Sequence, residues 1–405
     1  MLIGIDASRA NSVHRTGTEW YSFFLIKHLA RVIGPEHKVF LYTREPMRED
    51  LAKDLPKYFF PRYLAWPPKF LWTQLRLSLE MLFHKPQVLF VPAHTMPLIH
   101  PRHTVVTLHD IGFERMEQLY DFHPIANEKV LSKILLKWLV KIFTFGRFSN
   151  NELDYHKWAT RFALKRAEHI LTVSDFSRRE IIDCYHFPPE KITRIYNSFD
   201  QSLFQPIRDQ NRIKRVLDQY HLQQPYVLFV GRLEQKKNLP KLIEAWAIFK
   251  QRSGLPHKLV LAGMPGFQYE LIQAKIQSLR VQNSVQETGY VAQEDLPVIL
   301  SAADAYVFPS LYEGFGIPAL EAFACGTPLL ASRIASLPEI AGKGAYYFNP
   351  LDAGDMARAL EKVLCSKELQ AQLREAGKAE LARFSWKETA RQTWDVLMKY
   401  GTISS

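Results

Sequence analysis

The sequence predicts an α/β protein of two domains, each a doubly wound parallel sheet with helices on both faces. Short apolar runs typical of buried strands alternate along the chain with longer amphipathic runs typical of helices. This alternation pauses in a polar stretch from Asn197 to about Gln224 and then starts again. At 405 residues the chain is also too long for one ordinary domain. We therefore expect domains at residues 1–200 and 201–385.

The first domain opens with a buried strand at residues 2–6, a loop that contains Gly17, and an amphipathic helix to about Val32. This order is that of the first unit of a doubly wound sheet. No G-x-G-x-x-G fingerprint is present, which argues against an NAD-dependent oxidoreductase. Gly17 is either an ordinary turn glycine or a point where a ligand approaches the backbone.

Further strands and helices of the first domain follow from the same patterns. Strands are predicted at Lys38–Tyr42, Val88–Val91, Val105–Leu108, Ile170–Val173 and Ile192–Tyr196, and helices at Phe70–Phe83 and Tyr155–Arg166. His109 directly follows one of these strands, at the edge where α/β sheets bind ligands. It either hydrogen-bonds a substrate hydroxyl or shuttles a proton, or it is a structural histidine.

Residues 129–147 carry four lysines spaced four apart, and apolar residues occupy nearly every other position. The four are Lys129, Lys133, Lys137 and Lys141. One interpretation is a buried helix with a narrow wet stripe, and the other is a helix that lies on an anionic membrane. The net charge of +11 favours an acidic partner of some kind.

The second domain begins with a strand at Tyr226–Val230 and a loop at Gly231–Asn238. Arg232 and Lys237 lie five apart in this loop and could clamp a diphosphate, although a solvated basic loop is the alternative. A helix should follow to about Arg252. Further strands are predicted at Leu259–Ala262, Val285–Tyr290, Asp304–Phe308, Pro328–Ala331 and Gly344–Phe348, and a last helix at Trp386–Met398.

The most informative stretch runs from Phe308 to Ala331 and predicts a strand, a glycine-rich loop and a helix that begins near Pro318. Gly314 and Gly316 allow a ligand to approach the backbone, and a helix N-terminus attracts anions. Glu313 and Glu321 flank this anion site, and a carboxylate can accept hydrogen bonds from two neighbouring sugar hydroxyls. The arrangement fits a ligand with phosphates between two sugars, although a plain strand-to-helix turn has the same spacing.

Other classes of site are disfavoured by the sequence. The three cysteines, Cys184, Cys325 and Cys365, have no zinc or disulfide spacing and are typical of a reducing cytosol. The sequence contains no run of about 18 uncharged apolar residues, so no segment is expected to span a membrane. It also contains no basic cluster with interleaved aromatic residues, so nucleic-acid binding is not expected. No D-x-D occurs, so we expect no essential metal, with Arg232, Lys237 and the helix end stabilising the phosphates instead.

Taken together, three motifs resemble those of the retaining glycosyltransferases of family 4. They are the two glutamates of Glu313–Glu321, the G-R-L-x-x-x-K-N loop of Gly231–Asn238, and the V-T-L-H-D strand end at His109. The resemblance covers most of the chain, including Tyr196-Asn197 and Phe384-Ser385-Trp386. It implies the GT-B fold, in which two Rossmann-like domains face each other across a ligand cleft. It also implies that residues 386–405 cross back to the first domain.

The resemblance also implies roles for individual residues. Glu321 would hold the ribose of the nucleotide, and Glu313 would hold the transferred sugar with Gly314, Phe315, Gly316 and Ile317. Arg232 and Lys237, in the loop that begins at Gly231, would neutralise the diphosphate. His109 would contact the sugar. The Gly17 loop would cover the phosphates or the acceptor, although Arg15-Thr16-Gly17 departs from the family's usual two glycines. Backbone groups near Gly289 and Tyr290 would recognise the base.

The expected activity is transfer of a hexose with retention of anomeric configuration, assisted by the leaving phosphate, with Glu313 as a covalent nucleophile the alternative. We expect a nucleotide-diphosphate sugar as donor substrate, mannose from GDP-mannose being the specific choice, and no essential cofactor. The acceptor is expected to be a saccharide or lipid-linked molecule of surface polysaccharide or glycolipid synthesis. The expected location is the cytoplasm, at the inner face of the plasma membrane. A same-fold epimerase or sugar phosphorylase is the alternative.

Overall fold

The computed structural model describes residues 1–66, 71–120 and 152–401, and the predicted lysine stripe at 129–147 lies outside them. The chain divides into two compact units. The first unit comprises Met1–Tyr196 together with Trp386–Ser405, and the second comprises Asn197–Ser385. The division therefore falls four residues before the predicted limit at residue 200, and the C-terminal segment belongs with the first unit.

The described part of the first unit contains a sheet of seven parallel strands in the order β3-β2-β1-β4-β5-β6-β7. The strands are β1 Leu2–Asp6, β2 Lys38–Thr43, β3 Phe59–Tyr63, β4 Val88–Val91, β5 Thr104–Leu108, β6 His169–Thr172 and β7 Ile192–Arg194. The central strands read as continuous apolar runs because both faces of the sheet are covered. Strand β3 was not predicted, because an edge strand that contains Pro61 and two exposed aromatics lacks that signature.

Helices cover both faces of this sheet. They are α1 Gly17–Val32, α2 Glu49–Ala52, α3 Ser78–Phe83, α4 Gly112–Arg115, α5 Glu152–Arg166, α6 Asp175–Tyr185 and, at the C-terminus, α15 Trp386–Gly401. The predicted helix at Phe70–Phe83 is instead a π-helical turn at Trp72–Leu77 that continues into α3. Ser174 caps α6, since its hydroxyl accepts a hydrogen bond from the Ser177 backbone N–H.

The second unit has a sheet of six parallel strands in the order β10-β9-β8-β11-β12-β13. The strands are β8 Tyr226–Val230, β9 Lys258–Ala262, β10 Val285–Gly289, β11 Ala305–Phe308, β12 Leu329–Ser332 and β13 Ala345–Phe348. The order of the strands reverses between β8 and β11, which makes this pair the topological switch point of the sheet.

The helices of the second unit complete the doubly wound pattern. They are α7 Gln210–Gln219, α8 Leu239–Ser253, α9 Tyr269–Ser278, α10 Leu296–Ala302, α11 Ile317–Ala324, α12 Leu337–Ala341, α13 Ala353–Cys365 and α14 Lys367–Glu380. Helix α7 lies inside the stretch that the sequence predicted to be a polar boundary. Helix α8 packs against α13, and Trp246, Phe249 and Leu360 are fully buried in the core between them.

Candidate active site

The two predicted ligand loops of the second unit follow β8 and β11, the two strands at the switch point of the sheet. Residues 231–238 leave β8, and residues 309–316 leave β11, so both loops lie at the carboxyl edge. The backbone joins them, since the Leu311 N–H donates to the Lys236 carbonyl oxygen over 3.2 Å. Ligands of doubly wound sheets bind at this position.

The side chains of Lys237 and Glu313 form an ion pair across these loops, with Nζ 2.6 Å from Oε1. Both side chains are largely buried, with exposed fractions of 19% and 16%. A pair at this distance and depth fixes one loop against the other. The structure thus brings together a cation and a carboxylate that were predicted separately from two distant motifs.

The loop that carries Glu313 is held in shape from below. Gly316 has φ of +104°, a conformation that favours glycine, and it directly precedes α11. The hydroxyl of Ser336 lies 2.9 Å from the carbonyl oxygens of both Glu313 and Phe315 and donates to them. Pro318 occupies the first turn of α11, as predicted. No pattern in the sequence indicated Ser336, because its contact with the loop depends on the fold.

Glu321 lies one turn into α11, and burial, reinforced by the nearby Asp200 carboxylate, raises its pKa to about 8. None of the described side chains hydrogen-bonds its carboxyl group. Both Glu321 and Glu313 lie close enough to the buried Tyr306 phenol to act on it. Burial first, and then these two negative charges, raise the pKa of Tyr306 well above its ordinary value. Because its own pKa is about 8, the Glu321 carboxyl group is mostly protonated at neutral pH in the free protein.

Arg232 lies at the start of the first loop, and its side chain is exposed. Its aliphatic stem runs past Gly266, where an added Cβ would come within 2.6 Å of Arg232 Cγ. Within residues 1–66, 71–120 and 152–401 no ion pair or hydrogen bond engages its guanidinium. The preceding residue, Gly231, has φ of +148° and belongs to the left-handed region. Among the described residues, Lys237 and not Arg232 is the cation that pairs with Glu313.

The predicted base-recognition residues lie at the end of β10, with Gly289 as its last residue and Tyr290 directly after it. Gly289 has φ of +70°, and its carbonyl oxygen accepts a hydrogen bond from the Gly263 N–H over 2.9 Å. The side chain of Tyr290 is 66% exposed. The backbone turn thus leaves the Tyr290 ring on the surface at the carboxyl edge of the same sheet.

His109 lies at the carboxyl edge of the first unit's sheet, directly after β5. Its Nε2 is 3.3 Å from the Pro92 carbonyl oxygen, and its ring packs edge-on against Tyr21 at 4.6 Å. A carbonyl oxygen can only accept, so Nε2 carries the proton and Nδ1 remains an acceptor. Burial lowers the pKa of His109, more than the Pro92 contact and Asp110 raise it. His109 is therefore a neutral imidazole at pH 7.

Gly17 is the first residue of α1 rather than a residue of an open loop. The Glu19 carboxylate accepts hydrogen bonds from the Thr16 backbone N–H and hydroxyl, at 3.2 and 2.5 Å. Arg15 is turned away from the glycine, with Nε bound to the Ala10 carbonyl oxygen and Nη1 to Asp50. Apart from the neighbouring residues and the backbone of α1 itself, no atom of the described residues lies within 4 Å of a Cβ built on Gly17.

Two histidines of the first unit form a contact that the sequence did not indicate. His94 lies three residues after β4, and its Nε2 is 2.7 Å from Nδ1 of His156 in α5. One nitrogen must donate and the other accept, so the two rings cannot both be charged in this geometry. Burial, and next the neighbouring His156, hold the pKa of His94 well below its usual range.

Two protein-family sequence models match the chain. The model described as Glycosyltransferase Family 4 matches residues 15–203, and the model described as Glycosyl transferases group 1 matches residues 211–380. The O-antigen chain mannosyltransferase B of Escherichia coli is 31% identical over 258 residues, which are 63% of this chain and 67% of the relative. The chain belongs to the family 4 glycosyltransferases.

Other relatives of this glycosyltransferase carry related names. The O-antigen chain mannosyltransferase RfbU of Salmonella typhimurium is 27% identical over 75% of this chain and 71% of its own length. The serotype-specific mannosyltransferase WbdA of Escherichia coli is 31% identical over 56% of this chain, which corresponds to 28% of WbdA.

Solved structures establish the fold of the glycosyltransferase as GT-B. Sucrose-phosphate synthase from Thermosynechococcus elongatus matches with a TM-score of 0.71 at 18% identity, over 100% of both chains. WaaG, a glycosyltransferase involved in lipopolysaccharide biosynthesis, matches with a TM-score of 0.67 at 15% identity, over 98% of this chain and 99% of WaaG.

Two further findings concern the described residues alone. No helix among them is long and apolar enough to cross a membrane. No group of three or more histidine, cysteine, aspartate or glutamate side chains among them could hold a metal ion.

Proposed function

We propose that this glycosyltransferase transfers mannose from GDP-mannose to a saccharide or lipid-linked acceptor during synthesis of a surface polysaccharide or glycolipid. Transfer retains the anomeric configuration and needs no divalent metal. The enzyme works at the cytoplasmic face of the plasma membrane. The observation that carries the proposal is the Lys237–Glu313 ion pair at the switch point of the second unit's sheet. Glu321 lies one turn into α11, the helix that follows the Glu313 loop.

The chemistry of sugar transfer explains why these groups belong together. Breaking the bond between the sugar and the diphosphate places negative charge on the phosphate oxygens and positive charge on the sugar ring. Lys237, Arg232 and the N-terminus of α11 stabilise the departing diphosphate. Glu313 holds the hydroxyls of the sugar, with the Gly314, Phe315, Gly316 and Ile317 backbone beside it. His109, a neutral imidazole, contacts the sugar from the first unit.

Glu321 binds the ribose in this proposal. A protonated carboxyl group can both donate to one ribose hydroxyl and accept from the other, which suits a vicinal diol. Tyr290 and the Gly289 turn receive the base. Fixed cations replace a metal ion in stabilising the charge of the leaving phosphate. The leaving phosphate assists the attack of the acceptor on the same face of the sugar.

The choice of mannose rests on what the relatives are called. Mannosyltransferases that act on the O-antigen chain are similar to this chain over more than half of its length. A distant structural neighbour, HepE from Anabaena, is described in complex with UDP-glucose. That pairing makes UDP-glucose the natural competitor in a donor screen.

The donor is tested by measuring the melting temperature of the purified protein with GDP, UDP and ADP, followed by transfer assays with the matching sugars. A ligand that binds only the folded state raises the melting temperature. GDP should raise it most, and GDP-mannose should support transfer with undiminished rate in EDTA. Release of GDP and free sugar without an acceptor-dependent product would indicate an epimerase-type reaction instead. The configuration of the product, read by proton NMR, tests retention.

The two glutamates should separate in kinetics. Glu321→Ala should weaken GDP binding by about tenfold or more, because the hydrogen bonds between the carboxyl group and the ribose hydroxyls are lost. Glu313→Ala should lower kcat by at least about a hundredfold while GDP affinity changes far less. Glu270→Ala, on the exposed side of α9, serves as the control for removal of a glutamate. If the two site variants lost nucleotide affinity and turnover equally, the assigned roles would be wrong.

A further inference from the structure

Three basic side chains follow neighbouring strands of the first unit's sheet. Arg9 lies three residues after β1, His94 three residues after β4, and His109 directly after β5. These strands are adjacent in the order β1-β4-β5, so the three side chains start from the same carboxyl edge. His156 of α5 joins them through its contact with His94. We call Arg9, His94 and His156 the basic cluster.

The guanidinium group of Arg9 is only partly used within the first unit. Its Nη1 is 3.1 Å from Glu19 Oε1, and its side chain is 48% exposed. Among residues 1–66, 71–120 and 152–401 this is the one hydrogen bond that the group donates, although a guanidinium carries five N–H groups. Arg9 therefore has N–H donors that a bound anion can accept from.

The positive charge of Arg9 acts on both His94 and His109, which places it near both side chains. Burial first, and then the charges of His156, Arg9 and His109, lower the pKa of His94. The acidic groups that act on His109 are Asp110 and Glu19. None of the described carboxylates has such an effect on His94. An anion bound beside His94 would supply the counter-charge that this part of the cluster lacks.

The contact between His94 and His156 can hold one additional proton. In the neutral pair one ring donates its single N–H to the other across 2.7 Å. When the pair gains a proton, this inner hydrogen bond is kept and the outer nitrogens of both rings become donors. The His156 ring is stacked on the buried Phe113 ring at 5.9 Å, which fixes its orientation. Both histidines are partly exposed, so an ion can reach them.

We propose that the basic cluster binds a phosphate group of the acceptor. The planar Arg9 fork donates to two phosphate oxygens, and the protonated His94–His156 pair donates to a third. A carboxylate has only two oxygens, which the fork alone would occupy, so the combination favours a tetrahedral anion. The assignment of the phosphate to the acceptor rests on the proposed function, in which the neighbouring His109 contacts the sugar. Binding of phosphate by the cluster does not depend on that function.

The proposal is tested by titrating inorganic phosphate into the full-length protein labelled with nitrogen-15 at histidine, without donor or acceptor. The NMR signals of His94 and His156 are assigned from their loss in His94→Gln and His156→Gln. Phosphate should shift both signals towards imidazolium values and raise the pH midpoint of the pair, because a bound anion favours the protonated form. The two signals report on the first unit, so phosphate bound by Arg232 or Lys237 does not contribute to them.

Variants of Arg9 test the guanidinium fork. Arg9→Gln should weaken phosphate binding at least about tenfold, because a charge-assisted bidentate contact is lost. Arg9→Lys keeps the charge without the fork and should lie between this variant and the wild type. The control Arg102→Gln removes an exposed arginine that precedes β5, at the opposite edge of the sheet, and should bind phosphate like the wild type. Unchanged phosphate affinity in Arg9→Gln, or histidine signals that do not respond to phosphate in the wild type, would overturn the proposal.

Two further probes separate the possible sources of the phosphate. Methyl phosphate represents a phosphorylated saccharide, and pyrophosphate represents a diphosphate-linked acceptor. Both should bind at the cluster, and the tighter of the two identifies the source. Transfer from GDP-mannose is measured separately. Phosphate binding at the cluster in a protein that transfers no mannose would contradict the proposed function alone, whereas transfer by a protein whose cluster ignores phosphate would contradict this site alone.

Discussion

At the scale of single residues, the candidate site combines the Lys237–Glu313 ion pair with Glu321, a carboxyl group whose pKa is raised to about 8. The spacing of Glu313 and Glu321 placed one in the loop and the other a turn into the helix, as the structure has them. The protonation of Glu321 could not be predicted, because it arises from burial and from Asp200, which belongs to a different part of the chain. The Lys237–Glu313 contact likewise depends on two strands that are adjacent only in the folded sheet.

The raised pKa of Glu321 predicts that the stability of the second unit falls as pH rises. Between about pH 4.5 and 8 the unfolded state has lost the Glu321 proton and the folded state has kept it. The free energy of unfolding should therefore decrease with pH by up to about 1.4 kcal/mol per unit from this group alone. Glu321→Gln removes the titration, so its stability relative to the wild type should increase across this window and level off above about pH 8.

Urea unfolding at a series of pH values measures this difference for the wild type and Glu321→Gln. Asp200→Asn is the matched variant, since it removes the second cause of the shift and should end the window at a lower pH. The Asp200 carboxylate also accepts hydrogen bonds from Ser202 and Leu203, which an asparagine oxygen can still accept in part. A stability difference between wild type and Glu321→Gln that did not change with pH would contradict a protonated Glu321.

At the scale of elements, the strands were predicted better than the helices between them. Continuous apolar runs such as Tyr226–Val230 are distinctive, and that strand has the predicted limits. The sequence does not predict helix α7, because its many charged and amide residues are typical of a polar boundary. Its Ile213, Val216 and Leu217 are nevertheless buried at helical spacing, and Asp209 caps its first turn. The amphipathic pattern was present in the sequence, but three apolar positions among seven polar ones gave a weak signal.

The cap of α7 should contribute measurably to stability. The Asp209 carboxylate accepts hydrogen bonds from the backbone N–H groups of Asn211 and Arg212, at 2.9 and 3.2 Å. Asp209→Ala leaves these donors without that partner and should lower the free energy of unfolding of the second unit by about 1 kcal/mol. Lys214→Ala, an exposed position of the same helix, should change it far less. Equal small effects of both changes would show that the helix does not depend on its cap.

At the scale of the whole molecule, the sequence predicted two doubly wound units, and the fold follows from this repeated pattern. The return of the C-terminus to the first unit came only from resemblance, because nothing in the periodicity of a single helix says which sheet it covers. In the structure α15 packs against α1, with Trp386 stacked on Phe24 at 5.5 Å. Tyr400 Oη lies 2.9 Å from His169 Nδ1, and Thr389 donates to the Tyr196 carbonyl oxygen. Through these contacts α15 is part of the first unit.

This arrangement predicts that a cavity in the last helix destabilises the first unit selectively. Leu397 is fully buried in α15, and Leu397→Ala should lower the free energy of unfolding of the first unit by about 2–5 kcal/mol. Hydrogen exchange followed by mass spectrometry should show faster exchange in peptides of β1, β4 and α1, while peptides of β8 and β11 keep their wild-type rates. Lys387→Ala, exposed on the same helix, is the control. Faster exchange confined to the second unit, or spread evenly over both units, would mean that α15 does not stabilise the first unit selectively.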